Sequence, residues 1–424
     1  MSAARRFAGT LNAPTLVGAA CAIAVFVAFL KGWLTSWTPL EGTYARDYIT
    51  LPHCGLAVRE GTNMFTSSLD YPDYGPVGSG WVSHPLLCVT AGTPLSYLSP
   101  LTGFKLVNFL YLILHLGIIV GFGRRLIAPY RVRDCAIFVA LGLFFPWYVM
   151  YHTGQYHALS VLALALVLAG PRRRVGGFVL SAVTKPVLGP AGLVLIFRGH
   201  RREALKIVAL LLALSLPFAL FGYSREVGLN FGGGALKQFL DIGTSQSNQL
   251  VPGWDQQVSL ALLLDERFQS WDNLRVRQIL TGALLLLALV GLRRRPIEVA
   301  IAVASLWFLV YYARGHEYHG TLLVPVFAYL WTESRGLYRT PWVALLCAVY
   351  ALPTTWPLFI HRFDLPGPGP ESFAFMEQAS SPLFVAFLAH KPVVALLLVL
   401  TIAWKELRPR RAEASAVAPE PAFT

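Results

Sequence analysis

The chain is 424 residues long, 55% hydrophobic and only 13% charged. No soluble domain of this length needs so much apolar surface, whereas a bundle of bilayer-crossing helices does. The net charge of +13 would point a soluble protein towards nucleic acid. In a membrane protein Lys and Arg concentrate in cytoplasmic loops, so the sum acquires meaning only once it is mapped.

Residues 1–14 carry Arg5 and Arg6, and an apolar run follows from Thr15 to Leu34. At about twenty residues this run is too long for a signal-peptide core and lacks a small-residue cleavage site. It is read as a retained span with the N-terminus in the cytoplasm. Further spans are expected near 103–123, 134–151, 157–170, 204–222, 274–292, 297–313, 319–332, 341–360 and 383–404. Arginine clusters separate them: Arg124, Arg125, Arg131 and Arg133; "PRRR" at 171–174; "RGHRR" at 198–202; "RRR" at 293–295; Arg335 and Arg339. About 22 of the 35 basic residues then fall on the cytoplasmic side, against about 11 on the other, whose loops are longer. That asymmetry fixes the orientation.

The segment 175–197, "VGGFVLSAVTKPVLGPAGLVLIF", has arginines at both ends, so both ends belong to the cytoplasm. Interrupted by Lys185-Pro186 and Gly189-Pro190, it reads as a re-entrant pair of short helices, with the freed backbone groups satisfied by protein or a wet cavity. Three segments face the other side at length: 36–102, 223–273 and 361–382. Within the first, "HPLLCVTAGTPLSYL" (84–98) is too short to cross and reads as a helix lying on or dipping into the interface. The tail, 405–424, is read as disordered and cytoplasmic. The expected fold is therefore an all-α polytopic membrane protein with one domain over 15–404. It has about ten crossings, a re-entrant helical pair and a long non-cytoplasmic first loop.

Cys21, Cys135 and Cys347 fall within spans and are read as packing residues. Cys54 and Cys88 share the first loop and can pair, but their spacing forms no motif.

Ionisable groups inside or at the rim of spans are costly, so each is a functional candidate. On the non-cytoplasmic rim lie Asp47, the turn "YHTGQYH" (151–157) and the turn "ARGHEYH" (313–319); Lys185 joins them if its hairpin is deep. Each also has a plainer reading: a loop acid paired with Arg46, a satisfied turn, an interfacial charge cluster, and a lysine snorkelling to headgroups. His53, His84 and His152 read more readily as surface or stacking residues than as ligands. His316 and His319 can share one helical face, but no third metal ligand accompanies them. "GGG" (232–234) is followed by no GK[ST], and neither a G-x-S-x-G elbow nor a C-x-x-C is present. The two halves carry no matching broken helices of the kind many transporters show.

Residues 47–87, "DYITLPHCGLAVREGTNMFTSSLDYPDYGPVGSGWVSHPLL", resemble the first external loop of the GT-C superfamily of polytopic glycosyltransferases: an acid just after the first span, an amphipathic helix, then an aromatic-Pro stretch. "GQYHALSVLALALVLAG" (154–170), "GGFVLSAVTKPVLGP" (176–190) and "YHGTLLVPVFAYL" (318–330) resemble one branch, the bacterial polyprenol-phosphate-mannose-dependent mannosyltransferases related to those extending phosphatidylinositol mannosides. The resemblance covers about residues 15 to 335, through short motifs whose order and spacing agree. His157 stands where the branch often has Asn, and "SHP" where it has "YPP".

The resemblance implies a polyprenyl-phosphate sugar donor, most readily mannose, a lipid or glycan acceptor, and transfer on the non-cytoplasmic face of a bacterial-type plasma membrane. Carried onto this chain, Asp47 is the general base of an inverting transfer. Arg314, His316, His319 and Lys185 hold the donor phosphate, and Gln155, His157, Tyr48 and His53 meet sugar or acceptor. No cofactor and no obligatory metal are expected. A flippase or exporter of a lipid-linked glycan is the rival class; a polymerase or ligase using a pyrophosphate-linked donor is a second.

Overall fold

The computed structural model describes residues 11–33, 45–62, 70–71, 75–76, 84–220, 273–311, 317–333, 335–353 and 382–408. Over these residues the protein is helical, apart from a minimal antiparallel ladder that pairs Asp70–Tyr71 with Gly75–Pro76. Three helices are long and apolar enough to cross a bilayer: Ala13–Leu30, Pro100–Gly123 and the interrupted stretch Val132–Thr153. At 1.5 Å per residue the first spans about 27 Å, close to the thickness of a hydrocarbon core.

Helix α1 (Ala13–Leu30) begins where Asn12 caps it, its side-chain oxygen accepting from the Thr15 amide at 3.0 Å. The same Asn12 donates to the Gly123 carbonyl at 2.8 Å, tying α1 to the far end of a later helix. Helix α2 (Arg46–Glu60) follows and ends at Gly61, in the left-handed conformation at φ 68°. Helix α3 (Pro85–Leu95) contains one π-helical turn, Cys88–Gly92, and packs on α2. The packing is very close: a Cβ on Gly55 would collide with the Gly92 backbone, and Cys54 and Cys88 are disulfide-bonded beside it, Cα atoms 5.8 Å apart. The pairing that the spacing left open is therefore made. It locks the helix that carries Asp47 to the short helix expected at the interface.

Helices α4 (Pro100–Gly123), α5 (Val132–Gly142), α6 (Phe145–Thr153) and α7 (Ala158–Ala169) continue the bundle. The expected 134–151 span is in fact two helices, since Pro146 cannot donate within a continuous ladder. Helices α8 (Pro171–Thr184) and α9 (Ala191–Phe197) form the expected broken pair. The break at Lys185-Pro186 frees backbone groups, and neighbouring side chains satisfy them. Ser181 Oγ donates to the Lys185 carbonyl and accepts from the Leu188 amide, both at 3.0 Å, while the Trp307 indole donates to the Val187 carbonyl at 2.6 Å. Helix α10 (Arg201–Leu220) packs along both halves of this pair.

After the undescribed stretch 221–272 come α11 (Asn273–Leu286), α12 (Ile297–Ser305) and α13 (Trp307–Tyr311). A 3-10 turn, Glu317–Leu322, leads into α14 (Leu323–Thr332), a helix buried on every side. Helices α15 (Pro341–Ala351) and α16 (Pro382–Leu407) close the described structure. Large apolar side chains remain exposed along the outer helices, including Leu101, Phe109 and Ile113 on α4 and Leu205 and Leu212 on α10. Water would penalise such a surface, and lipid would not.

The long loops expected over 223–273 and 361–382, apart from Asn273 and Pro382 at their ends, residues 34–44, residues 63–69, 72–74 and 77–83 of the first loop, and the tail after residue 408 lie outside the described residues.

Candidate functional site

Four segments meet at one end of the bundle. The first is the start of α2. Ala45 takes φ 56° and donates its amide to the His152 carbonyl at 2.8 Å, which pins the chain just before Asp47 to the end of α6. A left-handed alanine costs roughly 1 kcal/mol, so the surrounding structure imposes this geometry. Tyr48 is then buried against α4 and the α6–α7 turn. A Cβ on Gly103 would strike its hydroxyl, and one on Gly154, itself at φ 69°, would strike its Cβ. Glycine at 154 is required twice over, by backbone conformation and by space. Asp47 itself is half-buried in the first turn of α2.

The second segment is the turn between α6 and α7. Gln155 is buried and donates its amide to the Tyr318 hydroxyl at 3.1 Å, while its side-chain oxygen meets no hydrogen-bonding partner among the described residues. His157 is fully buried within a ring cluster, stacked on Phe308 at 5.9 Å between centroids and edge-on to His319 at 4.8 Å.

The third segment is the break after α8, and it brings Lys185 to the same place. Its ammonium lies 3.5 Å from His319 Nε2 and about equally far over the rings of Tyr156 (5.5 Å) and Tyr318 (5.4 Å). Such distances suit cation–π attraction. Asp47 is near enough for its charge to act on Lys185 and on Tyr111 of α4. The fourth segment is the 3-10 turn, which supplies Tyr318 and His319.

Of the expected site residues, the fold thus gathers Lys185, His319, His157 and Gln155 into one cluster and holds Asp47 and Tyr48 beside it. Arg314 and His316 lie outside the described residues. His53 is buried on α2, but six residues on an α-helix turn it about 120° away from Asp47, so the two do not share a face. His157 is a wall of the ring cluster and not an exposed arm. Tyr318 and Tyr156 also belong to the site, each adjoining an expected residue in sequence. Asn108 is a further addition. It is buried on α4 one turn before Tyr111, and neither amide atom has a hydrogen-bonding partner among the described residues. An amide in an apolar span is costly unless something satisfies it, and that signal was present in the sequence.

His84 is not exposed: its ring packs edge-on against Phe218 of α10, 5.7 Å between centroids. It is buried at the start of α3, accepts from the Leu86 amide at Nδ1 and meets Ser215 Oγ of α10 at 3.0 Å through Nε2. Burial pushes its pKa down to about 4, so it is neutral at pH 7 and ties α3 to α10.

The site therefore offers a carboxylate, an ammonium, imidazoles and an amide oxygen within aromatic walls. That set suits an anionic or hydroxylated ligand. Among the described residues no three His, Cys, Asp or Glu side chains gather as metal ligands do. In comparison with known proteins, the chain matches no family model, no curated protein and no solved structure.

Proposed function

We propose that the chain is a multi-pass membrane glycosyltransferase, moving a sugar, most readily mannose, from a polyprenyl phosphate to a lipid or glycan acceptor. In this reading both termini are cytoplasmic, the bundle has about ten crossings, and α8 and α9 form a re-entrant pair. The active site faces the other side of the membrane. The single observation that carries the reading is the convergence of Asp47 with the Lys185–His319 pair at the end of the bundle opposite the arginine clusters.

Asp47 takes the proton of the acceptor hydroxyl as that oxygen attacks the anomeric carbon. The new C1–O bond forms on the face opposite the phosphate, the old C1–O bond breaks, and its electron pair leaves with the polyprenyl phosphate, so the configuration inverts. Negative charge grows on the leaving phosphate, and fixed donors aimed at it act most strongly where water is excluded. Lys185 and His319 are the described groups suited to that task, with Arg314 and His316 assigned the same role on sequence grounds. Gln155 Oε1 is an acceptor for a sugar hydroxyl, and the tyrosine rings suit the apolar faces of a pyranose.

The test is transfer from radiolabelled polyprenyl-phosphate-mannose into extracted lipid acceptors by purified protein, without any ion gradient. Wild type should transfer, and Asp47→Asn should bind donor but lose about 10²-fold or more in rate. Equal rates in the two proteins would remove Asp47 from the mechanism. Absence of transfer and of polyprenyl phosphate release in wild type, with movement of the donor across vesicles, would favour the flippase.

A further inference from the structure

Away from the candidate site, α4 and α7 leave an open cavity of about 280 Å³ between them. Ile113, Gly117 and Gly121 of α4 face Leu162 and Leu166 of α7 across it. These glycines differ from those that pack the bundle. A Cβ on Gly18 or Gly142 would collide with a neighbouring helix, whereas one on Gly117 or Gly121 would meet nothing within 4 Å. Among the described residues they bring no two helices together; they hollow a groove. Gly117 and Gly121 lie one turn apart on one face of α4, and Arg125 follows in the turn just past its end, so the groove leads to Arg125.

Arg125 and Arg173 line that end of the cavity. Arg125 donates to the Ala169 carbonyl at 2.7 Å, with its guanidinium 4.9 Å over the Phe122 ring. Arg125 is exposed; partial desolvation beside the two helices and, to a lesser degree, the charge of Arg173 lower its pKa from the ordinary guanidinium range, against the opposing pull of Tyr329 and Glu298. Among the described residues neither arginine forms a salt bridge, although the adjacent Arg174 is bound to both Glu203 and Glu298. Two like charges at the mouth of an apolar groove are complementary to one anion joined to a hydrocarbon chain. An anion between them would offset their repulsion.

We propose that this groove binds one anionic phospholipid of the cytoplasmic leaflet, an acyl chain lying along Gly117 and Gly121 and the headgroup phosphate between Arg125 and Arg173. The proposal rests on the membrane orientation given above and is independent of the sugar-transfer reading. Basic pockets between spans on this side of a membrane are suited to such headgroups.

The experiment places the full chain in nanodiscs of equimolar phosphatidylglycerol and phosphatidylcholine, extracts it, and counts retained lipids by native mass spectrometry. Wild type should keep one phosphatidylglycerol in preference to phosphatidylcholine. Arg173→Gln, at an exposed position, should lower that preference about fivefold, and Arg125→Gln with Arg173→Gln by more, at roughly one such factor per charge. Gly121→Leu, which fills the groove and leaves both arginines in place, should abolish retention. Three results would overturn the proposal: no preference in wild type, unchanged retention in Gly121→Leu, or a wild-type dimer that Gly121→Leu dissociates. The last would make the groove an interface between copies of the chain, meeting through the Gly117–Gly121 stripe. Arg173→Gln changes an exposed side chain, so the wild-type preference and its loss in that variant decide the outcome if Gly121→Leu folds poorly.

Discussion

The two ends of the bundle handle buried charge in opposite ways. At the arginine-rich end charges come as sets. Arg174 is almost completely buried between Glu203 (3.1 Å) and Glu298 (2.6 Å), joining the starts of α8, α10 and α12. Asp134, at the start of α5, receives Arg339 at 2.7 Å and the Trp331 indole at 2.9 Å. Glu406, at the end of α16, receives Arg335 at 3.0 Å and the Tyr338 hydroxyl at 2.8 Å. Arg198 donates to the carbonyls of Leu292 and Arg295. At the other end Lys185 lies among rings and an imidazole, and among the described residues no carboxylate comes within salt-bridge distance of it. Sets of matched charges hold helix ends together; an ammonium kept from carboxylates is suited to an anion that comes and goes.

Removing a charge from the matched end should have the largest effect. Asp134→Ala leaves Arg339 and the Trp331 indole without their acceptor. It should cost about 3 kcal/mol of stability, the scale for breaking a buried pair, with rate per folded molecule unchanged. Thermal melting in detergent beside a transfer assay checks both halves, and a selective loss of rate would contradict the division of labour. Next in size, Lys185→Gln should leave melting nearly unchanged and slow transfer by about 10²-fold, as loss of one fixed transition-state donor does. A large melting defect with intact transfer would make Lys185 a structural cation.

Acid sharpens the comparison further. Burial alone would raise the Glu406 carboxyl, but its bonds to Arg335 and Tyr338 and the surrounding arginine charge bring it below its ordinary value. Its contribution to stability is therefore full above the unfolded value near 4.3 and lost as pH falls through the lower folded value. His84 acts earlier. It is neutral when folded down to about 4, whereas the unfolded imidazole takes up a proton near 6.5. Stability should accordingly fall as pH drops from about 6.5 to 4, and His84→Gln should flatten that limb while leaving the one below it. A melting series from neutral to acidic pH would reveal one limb or two. The smallest effect belongs to Ala45→Gly, which relieves a left-handed alanine beside Asp47 and should raise stability by about 0.5 kcal/mol. If transfer slows at the same time, the strained turn helps to aim Asp47.

Much of the architecture was legible along the chain because lipid imposes simple demands. Apolar runs and arginine clusters marked the helices. The Lys185-Pro186 break was read as needing satisfied backbone groups, and Ser181 and Trp307 satisfy them. Pro146 signals the interruption at Phe144, which the expected 134–151 span runs through, whereas the one at Leu306 has no breaker beside it, and nothing in a run of apolar residues says where a ladder stops and restarts. In the site, the sequence named Asp47, Gln155, His157, Lys185 and His319 because polar residues at span ends are conspicuous. Nothing local says that His157 is sealed among rings; Asn108 is conspicuous as an amide in an apolar span, but only the fold leaves both its amide atoms without a hydrogen-bonding partner among the described residues.

The apolar solvent of the protein and the separation of charge along it are legible in one dimension, because hydrophobic lengths and Arg positions are fixed by composition and spacing. Which residues meet was decided only in three dimensions. Cys54 could reach Cys88 because Gly55 and Gly92 let two helices touch. Lys185 could reach His319, 134 residues on, because α8 runs back along α7 and delivers the break to the level of the α6–α7 turn. Contacts between distant segments depend on how helices pack, and packing is decided by the shapes of whole faces, which no local stretch of sequence contains.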